Sequence, residues 1–65
     1  MQMAKQYLRK FRVTYETGNP DWGNVVRRQA DTMAVSMAKA LSNVWYRTGR
    51  DETFFVVRAE EVETA

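Results

Sequence analysis

The apolar residues of this chain change their spacing twice, and that change excludes both an all-helical and an all-strand architecture. From Tyr7 to Glu16 they alternate, with Phe11, Val13 and Tyr15 on one side and Lys10, Arg12 and Thr14 on the other, as in a half-buried strand. Further on, Ala34, Met37, Ala38, Leu41, Val44 and Trp45 recur at three- and four-residue intervals, while Ser36, Lys39, Ser42 and Asn43 face away. That is the stripe of an amphipathic helix. From Thr53 to Val62 the chain returns to β-formers, with Phe55, Val57 and Ala59 on one face and Phe54, Val56, Arg58 and Glu60 on the other. The pattern predicts an α+β domain.

The segment between the first strand and the helix admits two readings. Thr17 to Asn24 concentrates Gly, Asn, Pro and Asp, so the chain turns there. In the first reading Val25 to Ala30 forms a second strand, and the helix starts at the Asp31-Thr32 pair, whose side chains can accept from first-turn amides, and runs to Arg47. The result is β-β-α-β, a three-stranded antiparallel sheet in the order 2-1-3 with one helix on one face. In the second reading Asn19 caps, Pro20 takes the first helical position and a single helix runs to Arg47. That β-α-β chain would be dimeric, because it needs a second copy to complete its sheet. The hairpin is favoured, since Gly23-Asn24 is poor helix material and Val25-Val26 is β-branched. Arg47-Thr48-Gly49 supplies a cation for the last turn and a glycine to end the helix.

A chain of 65 residues supports one small domain spanning 1-65 with a thin core, although 45% hydrophobic residues suffice to fold it. The absence of cysteine removes disulfides and thiolate metal sites, which fits a reducing, cytoplasmic setting. No apolar stretch approaches the ~20 residues needed to span a bilayer, and the start of the chain lacks a signal-peptide block, so no membrane partner is expected. The net charge is only +2, but its distribution is uneven. Lys5, Arg9, Lys10 and Arg12 precede any acid, while Glu60, Glu61 and Glu63 crowd the end, so antiparallel pairing of first and last strands sets opposite charges side by side.

Catalysis has little to work with. Without histidine or cysteine the commonest general base, metal ligand and strong nucleophile are missing. The carboxylate pairs Asp51-Glu52 and Glu60-Glu61 read as solvated charges, and the three glycines match no phosphate-binding spacing. A non-enzymatic protein with no cofactor and no metal is expected. Its candidate partner-binding surface is the sheet face away from the helix, with Lys10, Arg12, Phe54, Val56 and Arg58, joined by Arg27 or Arg28. Apolar residues ringed by arginine suit a protein partner. They also suit single-stranded nucleic acid, where bases stack on rings and cations track phosphates. Burial in a structural homodimer is the third reading. Trp22 is expected to be a lid on the thin core, and Tyr46 to be half exposed.

The strand Phe11-Arg12-Val13-Thr14-Tyr15, the junction Ala30-Asp31-Thr32 with Ala34 and Ala38, and the strand Phe54-Phe55-Val56-Val57-Arg58 together resemble small phage host-takeover proteins. These include RNA polymerase inhibitors of podophages and compact anti-CRISPR proteins. The resemblance implies a phage or mobile-element protein that acts in the host cytosol by occupying the surface of a host protein or ribonucleoprotein complex. It places Arg58 among the contacts. The Arg27-Arg28 pair departs from the apolar alternation usual in the second strand of such proteins.

Overall fold

The computed structural model describes residues 7–62 and shows the β-β-α-β order. Strand β1 spans Arg9–Thr17, β2 Val26–Ala34 and β3 Phe55–Val62, and helix α1 spans Met37–Arg47. The sheet order is β2-β1-β3, with β1 in the centre and antiparallel to both neighbours. Phe11, Val13 and Tyr15 all lie in the core, so the alternation of β1 decides which side the helix covers. On that side Phe11 packs with Ala34 and Ala40, and Val13 and Tyr15 pack with Val44.

The second strand and the helix meet later than the Asp31-Thr32 pair suggested. Strand β2 pairs with β1 in unbroken register from Thr17↔Val26 to Arg9↔Ala34, so Asp31 and Thr32 are strand residues and neither caps the helix. The pleat sends Ala30, Thr32 and Ala34 toward the helix and Asp31 and Met33 away from it, where Asp31 pairs with Arg12 and Met33 is exposed. Thr32 is buried, its hydroxyl accepting from Arg47 Nη2 at 3.1 Å and Asn43 Nδ2 at 3.4 Å. Ser36 is the actual cap, accepting from the Lys39 amide at 3.3 Å. Ala34 is thus a strand residue, Ala38 is exposed, and the close helix-to-sheet contact is made by Ala40 and Val44 instead. At the other end Thr48 caps, and Gly49 takes a left-handed φ of 76°.

The charge asymmetry of the chain is used in part as expected. Arg9 Nη1 donates to Glu61 Oε1 at 2.9 Å across β1 and β3. Lys10 turns to the other neighbour and meets Asp31 of β2 at 3.6 Å. Lys5 and Glu63 lie outside the described residues. Among the described residues, no helix is long and apolar enough to cross a membrane.

Candidate functional site

The face of the sheet opposite the helix is built by the other half of each pleat. Register places Lys10 beside Met33 and Val62, Arg12 between Asp31 and Glu60, Thr14 between Gln29 and Arg58, and Glu16 between Arg27 and Phe55. Four of the sequence-derived candidates, Lys10, Arg12, Arg27 and Arg58, therefore share one face. The other three do not.

Phe54 and Val56 pack into the core, and the reason is a single residue. The pairing of β1 with β3 runs Thr14↔Arg58 and then Tyr15↔Val56, so Val57 is the extra residue of a bulge. Above the bulge Ala59 points to the core and Arg58 and Glu60 to the open face, as the alternation predicts. Below it every side chain is reversed, because side chains alternate with period two and one inserted residue exchanges the faces. Val56 joins the core, Phe54 stacks against Tyr15 with ring centroids 5.1 Å apart, and Phe55 is turned outward, 64% exposed. Phe55 is the aromatic of the open face that alternation alone misses. Four consecutive apolar residues, Phe54 to Val57, carry no parity of their own.

Arg28 falls on the helix side because it pairs with Tyr15 rather than with an open-face residue. It lines a polar cleft with Arg47, Thr48 and Asp51. The Asp51 carboxyl there is held below its ordinary value by the hydroxyl and then the amide of Thr53, which donate at 2.6 and 2.8 Å.

The open face is cationic in content but internally paired. Arg12 grips Asp31 with two parallel bonds, Nε to Oδ1 at 2.9 Å and Nη2 to Oδ2 at 3.2 Å. That fork lowers the Asp31 pKa and raises that of Arg12. Arg27 donates twice to Glu16 Oε2, at 2.8 and 3.0 Å, and Arg58 donates to Glu60 at 3.2 Å. With Lys10 beside Asp31, every cation of the face among the described residues has a carboxylate partner.

One end of this face is shaped by the β1–β2 connection. Asn19 accepts from the Asp21 amide at 2.9 Å and caps a 3-10 turn, Pro20–Trp22, which closes at Gly23 with φ 68°. Gly18 has φ 111°, and a Cβ there would stand 2.3 Å from the Asn24 carbonyl oxygen, so only glycine fits this crossing. The Gly18 amide donates to Thr53 Oγ1 at 2.8 Å, which ties the loop to the start of β3. The tied loop holds Trp22 in solvent, 77% exposed, so Trp22 is not a lid on the core. The core needs none at that end because Phe54 and Tyr15 already close it. Tyr46 is exposed on the helix, its ring against Trp45.

Comparison with known proteins finds no matching family model, no similar curated protein and no similar solved structure.

Proposed function

We propose that this chain is a non-catalytic binding protein that engages a protein partner through the open face of its sheet. In keeping with the phage resemblance, its action would be to inhibit or modulate a larger host complex by occupying its surface. The observation that carries the reading is the combination of a paired arginine lattice with outward apolar side chains. Arg12, Arg27 and Arg58 are each paired with a carboxylate, and Phe55 stands outward at the Arg27 end of the same face. Arginine and aromatic residues are enriched in protein interfaces, and a preorganised surface loses less entropy on binding. The carboxylates of Asp31, Glu16 and Glu60 offset most of the positive charge of Lys10, Arg12, Arg27 and Arg58, which leaves little net attraction for a polyphosphate chain and disfavours the phosphate-tracking reading.

The test places a photo-crosslinking amino acid at position 55 and, as a control, at Lys39 on the exposed side of the helix, in the cells from which the chain derives. A discrete protein adduct at position 55 alone, lost on Arg58→Glu with the circular dichroism spectrum unchanged, is the expected result. Adducts to nucleic acid, or the same adducts from both positions, overturn the proposal.

A further inference from the structure

The open face is not uniform. At its hairpin end lies a solvent-open groove of about 460 Å³ lined by Glu16, Gly18, Pro20, Val25, Thr53 and Phe55. Its walls are mostly apolar, and Trp22 and Val26 are exposed on the same hairpin. The groove is also cross-braced: Gly18 is tied to Thr53, and the Asn19 amide donates to Asn24 Oδ1 at 2.6 Å.

The ion pairs nearest the groove are unequal in exposure. The Arg27 side chain is 62% exposed but its partner Glu16 only 28%, and Arg58 is 70% exposed against 42% for Glu60. The carboxylates sit low and the guanidinium groups stand over them. Arg27 Nη1 makes no hydrogen bond among the described residues, and Arg58 uses only Nη2. A partner approaching this end therefore meets the donors of Arg27 beside an apolar recess whose charged wall, Glu16, is already bonded to Arg27, with those of Arg58 further along the face.

We propose that the groove receives a bulky apolar side chain from an acidic protein segment, with the flanking carboxylates of that segment bonding to Arg27 and Arg58. This assignment rests on the protein-binding reading above and specifies its occupant. A cavity of this size with apolar walls and a few convergent polar groups is what a side-chain anchor requires. The outward guanidinium groups supply charge complementarity that favours acidic over basic flanks.

The experiment uses the whole isotope-labelled chain and three synthetic peptides: one Phe flanked by Glu residues, the same peptide with Ala for Phe, and the same Phe flanked by Lys. Amide shifts are followed during titration at 50 and 150 mM salt. The expected result is saturable movement of Gly18, Asn19, Thr53 and Phe55 with the acidic Phe peptide alone. Binding should weaken about tenfold on Phe55→Ala and again on Arg27→Gln, as truncation of interface anchors does. Phe55 is exposed and Arg27 pairs only at the surface, so both variants keep the fold. Equal binding of the acidic Ala peptide, or of the basic peptide, overturns the assignment of an anchored acidic segment. Movement confined to Lys10, Arg12 and their neighbours overturns the groove but leaves a protein-binding face. No movement with any peptide overturns the groove as well. Saturable shifts with an oligo-dT probe in its place overturn the protein-binding reading itself.

Discussion

The two faces of this sheet come from alternate residues of the same three strands, yet different physics holds them. On the covered face Phe11, Val13 and Tyr15 are buried against Ala34, Ala40 and Val44, and close packing is the stabilising term. On the open face Arg12, Arg27 and Arg58 lie in water, each beside a carboxylate. Exposed pairs of this kind contribute little to stability. The contrast teaches that the covered face makes the protein fold, whereas the open face is free to be chosen for what it touches. An open face of lone cations would repel itself; one of paired cations is stable and still presents donors.

The largest expected effect falls on the covered face. Phe11→Ala removes a fully buried ring from the centre of the sheet and should cost about 3–5 kcal/mol. A chain of this size has a total stability of only roughly 3–10 kcal/mol. Urea unfolding should show the variant largely unfolded at room temperature; a stability within 1 kcal/mol of the parent, on the order of an ordinary surface change, would mean that Phe11 is not at the core.

A middle-sized effect separates two adjacent residues. Phe54→Ala should cost about 1–3 kcal/mol because it removes packing against Tyr15, while Phe55→Ala should stay within about 0.5 kcal/mol. If the order of the two is reversed, the bulge at Val57 is misplaced and the faces of β3 below it exchange. This pair is the most direct test of which aromatic belongs to the binding face.

The smallest effect belongs to the open face itself. Asp31 is held below its ordinary value of 3.8, first by the hydrogen bonds from Arg12 and then by the charges of Arg12 and Lys10. A carboxyl lowered in the folded state contributes stability that is fully present above its unfolded value and is lost as the pH falls through the lowered one. An NMR titration should place the Asp31 midpoint below 3.8, and Arg12→Ala should move it upward. A midpoint indifferent to Arg12 would show that the fork does not form in solution. Near neutral pH the Arg12–Asp31 fork should be insensitive to pH.

Much of this architecture is legible from spacing alone. The period of two in β1 identifies Phe11, Val13 and Tyr15 as core, and strand order and pairing follow once the hairpin reading is chosen. Two features escape it for different reasons. The helix start is ambiguous locally, because Asp31 and Ser36 are both good caps and Ala34 fits a strand face as well as a helical stripe. Only the pairing of Ala34 with Arg9, a contact between residues far apart in the chain, keeps β2 going to its end.

The open face divides along the same line. Lys10, Arg12 and Arg58 lie where alternation puts them, whereas alternation leaves Arg27 and Arg28 open and only pairing with Glu16 sets Arg27 on the open face. Phe54, Phe55 and Val56 belong to a run in which every residue is apolar, so parity there is silent. A bulge supplies it: with Val57 left over, Phe54 can reach Tyr15, Val56 enters the core and Phe55 is turned out to water. Periodicity along one strand can say that a residue has two possible sides, but which side is inward depends on register against the neighbouring strand, and register is a property of the folded sheet.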